Sequence, residues 1–166
     1  ASDVDLDNLT FSASLNGNAS YLINNNILTI TPNQDWYGEI SIDVSVSDGT
    51  LTDDDSFTLT VEAVNDAPIL TDISDQTIDE DSFLILSLLA FDVDLDQLYY
   101  SAEVNGNASI SLTDNELTIV SNPDFNGDIN VTISVTDTQL SDSLSFTLSV
   151  TPINDAPILD VISDHT

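Results

Sequence analysis

The sequence contains no lysine and no arginine, so its 30 acidic side chains give a formal net charge of -30 at pH 7. A chain without basic residues has no groups to neutralise phosphates, which excludes nucleic acid as a partner. The same lack excludes electrostatic attraction to an anionic membrane surface. The acidic side chains of such a chain repel one another over the whole surface. The sequence therefore predicts that cations bind to the protein when it is compactly folded.

Cysteine is also absent, which excludes disulfides and thiolate metal sites. No apolar run reaches the roughly 18 residues that suggest a membrane-spanning helix, so we expect no membrane insertion. The single histidine, His165, has no thiol or second histidine to work with, so the sequence predicts no nucleophilic catalysis. Paired carboxylates can serve a glycosidase, but here the same acids recur in frame. That recurrence favours a structural role and predicts that the protein is not an enzyme.

What is abundant is aspartate, which far outnumbers glutamate among the acidic residues. Aspartate is typical of turns and of calcium-binding loops, whereas an acidic helix would use glutamate freely. Hydrophobic residues make up 41% of the chain, enough to bury a core and to argue against disorder.

The sequence repeats itself at an offset of 89 residues without a gap. "DVDLD" at Asp3 to Asp7 recurs at Asp92 to Asp96, and "NDAPIL" at Asn65 to Leu70 recurs at Asn154 to Leu159. Matches of this length in one frame indicate a tandem array of units of about 90 residues.

Within a unit, apolar and polar residues alternate with a period of two. "INVTISV" places Ile129, Val131, Ile133 and Val135 on one face, and "LSFTLSV" follows the same pattern. Asn-Gly and Asp-Gly pairs and prolines separate the strands at intervals of about ten residues. The sequence therefore predicts an all-β fold of tandem immunoglobulin-like antiparallel β-sandwiches.

The stretches "AFDVDLDQLYYSAEVNG" and "VTISVTDTQLSDSLSFTLSVTPINDAP" resemble the cadherin repeat, in which Ala-X-Asp-X-Asp and Ala-X-Asp turns accompany an Asn-Asp linker ahead of a proline. "VNDAP" and "INDAP" are most similar to the cadherin-like repeats of giant secreted bacterial adhesins. The resemblance implies calcium (Ca²⁺) between consecutive sandwiches, where it stiffens the joint.

Carried over residue by residue, the resemblance implies oxygen ligands at the central joint and half-sites at the two ends of the chain. These candidate metal ligands are Asp3, Asp5, Asp7, Asp48, Asn65, Asp66, Glu80, Asp92, Asp94, Asp96, Asp137, Asn154 and Asp155. Asp7 and Asp96 are the weakest members, because three aspartates at alternate positions of an extended chain span about 13 Å unless the chain turns.

This sequence also departs from the cadherin pattern. The first aspartate of the cadherin linker is Ala63 in one copy and Pro152 in the other, and the Asp-Arg-Glu motif has no counterpart. Fewer ligands predict fewer ions per joint. The alternative interpretation of "DVDLD" is a solvated acidic turn without an ion. "DWYG" and "DFNG" are interpreted as a core residue and a turn rather than as a sugar-stacking platform.

In this frame the chain divides into a partial cadherin-like repeat at 1–66, a complete repeat at 67–155 and the start of a following repeat at 156–166. The first repeat lacks counterparts of Ile69 to Leu89. We therefore expect neighbouring repeats to join head to tail, within a longer polypeptide or by strand donation between subunits.

The expected function is a calcium-stiffened extracellular spacer, stalk or filament at a prokaryotic cell surface or in a secreted fibre. The alternative is an adhesion module that binds carbohydrate or other cells. An acidic surface domain of a halophile would explain the charge but not its placement in frame.

Overall fold

The computed structural model describes residues 1–159 and contains only strands, turns and loops over that range. The chain divides into two compact units, Ala1–Val64 and Asn65–Thr166. The expected start of a further repeat at 156–166 lies mostly outside the described residues, as does His165.

The first unit contains five strands in two sheets. They are β1 (Thr10–Leu15), β2 (Ala19–Asn24), β3 (Ile27–Pro32), β4 (Gly38–Ser47) and β5 (Thr52–Val61). One sheet has the order β1-β4-β5, and β2 and β3 form a separate hairpin. All three pairings are antiparallel.

Over its described residues, 65–159, the second unit contains nine strands. They are β6 (Ile69–Leu70), β7 (Gln76–Asp79), β8 (Phe83–Ser87), β9 (Ala90–Phe91), β10 (Tyr99–Val104), β11 (Ala108–Thr113), β12 (Glu116–Ser121), β13 (Gly127–Thr136) and β14 (Ser141–Thr151). A four-stranded sheet has the order β10-β13-β14-β7, a three-stranded sheet has the order β11-β12-β8, and β6 pairs with β9.

The core of the second unit confirms the alternation that the sequence predicts. Ile129, Val131, Ile133 and Val135 all face inward from β13 and are fully buried. They pack with apolar residues of the other strands, and the buried cluster has eleven members: Leu70, Leu88, Leu117, Ile119, Ile129, Val131, Ile133, Val135, Phe146, Leu148 and Val150. The fold is therefore the expected all-β sandwich.

One strand pair departs from the antiparallel pattern. β7 runs parallel to β14, with Gln76 opposite Leu148 and Asp79 opposite Thr151. This pairing places the beginning of the second unit beside its last strand.

The turns repeat in both units down to individual hydrogen bonds. Asn16 Oδ1 accepts the Ser41 N–H at 2.8 Å, and its counterpart Asn105 Oδ1 accepts the Asn130 N–H at 2.9 Å. The glycines that follow, Gly17 and Gly106, both have positive φ, which is the conformation that favours glycine. The same turn therefore forms in both units, as Asn-Gly pairs predict.

The segments "DWYG" and "DFNG" also have a structural place. Phe125 packs against the core of the second unit. A Cβ on Gly127 would lie 3.4 Å from the Phe125 ring, and one on Gly38 would lie 3.0 Å from the Trp36 ring. In each segment the glycine backbone lies close to the aromatic ring two residues before it. This close approach accounts for the aromatic residue and the glycine in both segments.

Candidate metal centre

The chain turns sharply after β9, and this turn gathers the second "DVDLD" motif. Asp92 Oδ1 accepts the backbone N–H groups of Asp94 at 2.9 Å and of Asp96 at 3.3 Å. Leu95 takes a positive φ of 64°. As a result, one carboxylate oxygen from each of the three aspartates lies within 4.8 Å of the others. Asp96, a weak candidate in an extended chain, belongs to the group because the chain turns.

Asp92 is the buried member of this group. Its side chain is only 4% exposed, and its second oxygen, Oδ2, is buried without a hydrogen-bond partner. A buried carboxylate oxygen without a partner is costly. Two like charges about 4 Å apart also repel by about 4 kcal/mol at an effective dielectric of 20. The group therefore has an unmet requirement for positive charge, and the chain has no lysine or arginine to supply it.

Two consecutive linker residues reach this region from the start of the second unit. The Asp66 N–H donates to Asp94 Oδ2 at 2.8 Å. Asn65 Nδ2 donates to Asp137 Oδ2 at 2.7 Å. Because Asn65 and Asp66 are neighbours, these bonds bring the Asp92–Asp96 turn and the turn containing Asp137 to the same stretch of chain.

Asp137 begins the turn between β13 and β14. Its Oδ1 accepts the N–H groups of Gln139 and Leu140, both at 2.6 Å. The hydrogen bond from Asn65, together with that from the Leu140 N–H, holds the pKa of Asp137 below its ordinary value. This carboxylate is therefore ionised at neutral pH, as a metal ligand must be.

The donor set of this site fits calcium. Carboxylate and amide oxygens are hard ligands, and calcium accepts six to eight of them with tolerant geometry. Magnesium demands near-ideal octahedral geometry and gives up its waters reluctantly. The unpartnered Asp92 Oδ2, together with the carboxylates of Asp94 and Asp96, offers the core of a calcium site.

The first "DVDLD" copy folds in a similar way but gathers less charge. Asp3 Oδ1 accepts the N–H groups of Asp5 at 2.8 Å and of Asp7 at 3.2 Å. Among the described residues, however, these three carboxylates do not form a group of the kind found at Asp92. Asp3 does line the same surface depression as Asp48.

Asp48 repeats the turn of its counterpart Asp137. Its Oδ1 accepts the N–H groups of Leu51 at 2.7 Å and of Thr50 at 2.6 Å. These two backbone donors lower the pKa of Asp48.

The three remaining predicted ligands are Glu80, Asn154 and Asp155, and Glu80 contacts the segment that leads to the other two. Glu80 is buried, and its Oε1 accepts the Ile153 N–H at 2.6 Å. Asn154 Nδ2 donates to the Asp155 carbonyl at 3.0 Å, the same bond that Asn65 makes to Asp66. Glu80 therefore anchors the segment that carries the second Asn-Asp pair.

Asp155 belongs to an acidic group that the sequence did not predict. Its carboxylate lies with those of Asp81 and Asp124, with oxygens within 4.8 Å of one another. Asp81 Oδ1 also accepts the Asp124 N–H at 3.1 Å. Asp81 and Asp124 were missed because they are 43 positions apart and share no spacing motif; the only signal was the run of acids in "DED".

Gln139 was also missed. Its Nε2 donates to Asn65 Oδ1 at 2.9 Å, which fixes the orientation of the Asn65 amide toward Asp137.

Comparison with known proteins places these features in a family. The family described as Bacterial Ig domain matches residues 65–151, which is more than half of the chain. The family described as Cadherin-like domain matches residues 1–62. No curated protein matches the chain.

Among solved structures, human protocadherin-24 EC1-2 is similar, with a TM-score of 0.52 and 17% identity over 93% of this chain and 85% of that one. Drosophila N-cadherin EC1-3 gives a TM-score of 0.45 and 11% identity over 91% of this chain and 57% of that one. An endo-fucoidan hydrolase of glycoside hydrolase family 107 gives a TM-score of 0.41 and 21% identity over 90% of this chain.

The chain spans only 24% of the length of that hydrolase. At these identities the similarities concern the fold alone. The match over residues 65–151 leads to one assignment: the chain belongs to the bacterial Ig domain family, and its first unit matches the cadherin-like domain.

Proposed function

We propose that this chain is a calcium-binding structural repeat that serves as an extracellular spacer, stalk or filament. Bacterial Ig and cadherin-like domains are typically extracellular adhesion or structural repeats, and both families match here. Among the described residues, no helix is long and apolar enough to cross a membrane. In this proposal the repeat is part of a surface adhesin of the kind in which the "VNDAP" motif recurs between repeats.

The observation that carries the proposal is the buried, unpartnered Asp92 Oδ2 within the group of Asp92, Asp94 and Asp96. A solvated acidic turn would expose this oxygen to water, whereas Asp92 is almost fully buried. A cation satisfies both the oxygen and the clustered charge. Of the common cations, calcium best suits a set made only of oxygens.

The mechanical role follows from which segment the site holds. Asn65 and Asp66 lie where the two family matches meet, and they already bond to Asp137 and Asp94. A cation that neutralises the Asp92–Asp96 turn removes the repulsion that opposes these contacts. Calcium would thus restrict the conformations of the linker segment and stiffen the array.

Neighbouring repeats joined head to tail are the partners that this role requires. Each unit of such an array contacts only its neighbours, and the number of repeats sets the reach of the whole protein. An adhesion module that binds carbohydrate or other cells is the rival function, but no observation on the described residues favours it. The rival predicts measurable binding to glycans or cells by the isolated chain.

The test is a calcium titration of the chain by calorimetry. We expect Asp92→Asn to weaken calcium binding by about tenfold or more, because it removes a ligand charge while keeping the side-chain shape. Glu103→Gln is the matched control, since Glu103 is an exposed acid on β10 of the same unit. Equal effects of the two substitutions would mean that calcium senses only the overall charge, and the proposed site would be wrong.

A further inference from the structure

One stretch of the second unit is apolar on both of its faces. Residues 83–91, "FLILSLLAF", run from β8 through β9 and contain no charged residue. Exposed and covered side chains alternate along the whole stretch, and the inward Leu84, Leu86 and Leu88 join the core. A strand with one face in water normally alternates apolar with polar residues, whereas a continuous apolar run is typical of strands that are covered on both faces. The outward face of this stretch is therefore suited to being covered.

The outward side chains of this stretch are large and lie in the open. Four of them are between 50% and 61% exposed: Phe83, Ile85, Leu89 and Phe91. Two exposed residues of neighbouring strands extend the row, because Val120 lies opposite Phe83 and Ile69 lies opposite Phe91. We call these six side chains the outer stripe. Nine extended residues make it about 26 Å long.

The two longest strands of the same unit have a polar outward face instead. The outward positions along the middle of β13 and β14 carry only small polar side chains: Asn130, Thr132, Ser134, Ser143, Ser145, Thr147 and Ser149. The outer stripe is therefore not the usual outward surface of this fold unit. Large apolar side chains gathered in one exposed patch favour association with another surface.

Acidic side chains flank the outer stripe and restrict what can cover it. Glu116 is exposed and lies opposite Ser87, in the middle of the row. Asp81, two residues before Phe83, belongs to the exposed acidic group that includes Asp124. Because the chain has no lysine or arginine, a second copy would bring only like charges to this surface. The charge therefore favours a partner that carries positive side chains.

We propose that the outer stripe binds a basic partner protein through an amphipathic segment of that partner. Apolar side chains of the segment cover the stripe, and its lysine or arginine side chains lie beside Glu116 and Asp81. The apolar contacts supply the driving force, and the opposite charges orient the segment and select against other copies of this chain. The interaction uses a sheet face and none of the proposed calcium ligands, so it does not depend on the proposed function.

The test uses a labelled synthetic peptide of alternating leucine and lysine, about nine residues long to match the stripe. Its binding to the full chain is measured by fluorescence anisotropy. The variant carries Phe83→Thr and Phe91→Thr together, because threonine suits exposed strand positions and leaves the charge unchanged. Tyr99→Thr is the matched control, since Tyr99 is an exposed aromatic residue in the other sheet of the same unit. All proteins are compared at the same calcium concentration, so the comparison holds whether or not the metal binds.

We expect the double variant to bind the peptide about tenfold or more weakly than wild type, because two large apolar contacts are lost, and Tyr99→Thr to bind it unchanged. A peptide of alternating threonine and lysine has the same charge and should bind all three proteins weakly and equally. Circular dichroism checks the fold, and Ile85→Thr provides a milder single change if the double variant unfolds.

Equal binding of the leucine–lysine peptide by wild type and stripe variants would overturn the proposal, because charge alone would then explain the binding. Analytical ultracentrifugation of the chain without peptide tests the other occupant. Self-association of wild type that the double variant abolishes would also overturn the proposal, since the stripe would then bind a second copy.

Discussion

Asn65 donates a hydrogen bond from Nδ2 to Asp137 Oδ2 at 2.7 Å, which joins residues 72 positions apart at the start and near the end of the second unit. The bond stabilises the ionised carboxylate and is the main cause of the lowered pKa of Asp137. Linker and turn are therefore coupled through the charge of one side chain.

Replacing Asn65 should change that charge measurably. We expect Asn65→Ala to raise the pKa of Asp137 toward its ordinary value, because the strongest donor to its carboxylate is lost. The measurement is a titration of the carboxyl carbon by NMR with chelator present. Asn154→Ala is the control, since Asn154 makes the same local bond to the following carbonyl. An unchanged pKa in the Asn65 variant would contradict the bond.

The same coupling predicts how acid affects stability. The folded pKa of Asp137 lies below its ordinary value of 3.8. The ionised group therefore stabilises the folded unit fully above that value, and the contribution is lost as the pH falls through the lowered pKa. We expect wild type to exceed Asn65→Ala in stability at neutral pH and the difference to shrink in acid. Chemical denaturation with chelator present measures this, and a difference that grows in acid would refute the prediction.

Removing calcium should destabilise the second unit. A ligand that binds only the folded state adds about 2.7 kcal/mol at 100 times its dissociation constant. We expect chelation to lower the melting temperature and to broaden the distribution of sizes in small-angle scattering, as the linker is released. Asp94→Ala and Asp66→Ala should reduce the effect of calcium, whereas Asp43→Ala, an exposed acid in the first unit, should not. Identical profiles with and without chelator would rule out the calcium site.

The unequal cores of the two units predict unequal costs for one substitution. Leu117 is fully buried, so Leu117→Ala should destabilise its unit by about 2–5 kcal/mol. Its counterpart Leu28 is only half-buried, so Leu28→Ala should cost clearly less. Denaturant unfolding, followed by Trp36 fluorescence for the first unit and by circular dichroism for the second, measures both. Equal costs would mean that the face around Leu28 is already covered.

Alternation made the strands and the core of the second unit predictable. The inward residues of β13 are the alternate apolar ones, and the Asn-Gly pairs form turns in both units. The parallel pairing of β7 was not predictable, because "QTID" is short and polar and periodicity carries no information about strand direction. The exposure of Phe57 was not predictable from the sequence either, because the identical residue at the equivalent position, Phe146, is buried.

The site was predictable where its residues follow one another in sequence. The motif predicts Asp92 and Asp94 as ligands with Asp96 as a weaker member, and the structure brings all three together. The group of Asp81, Asp124 and Asp155 depends on contacts between distant segments, for which the sequence gives no spacing. Whether any of the predicted ligands binds an ion stays a prediction.

The parallel pairing of β7 with β14 affects how the second unit carries load. When the chain is pulled from both ends, β7 is drawn toward its beginning and β14 toward its end, so their four aligned residue pairs are sheared together rather than opened one by one. Bonds that share a load must break at once, which makes rupture slow under tension. We expect single-molecule pulling to unfold the second unit at higher force than the first, and the reverse order would refute this. Tandem units of this kind would unfold one after another under tension, and each unit would absorb mechanical work before the next one unfolds.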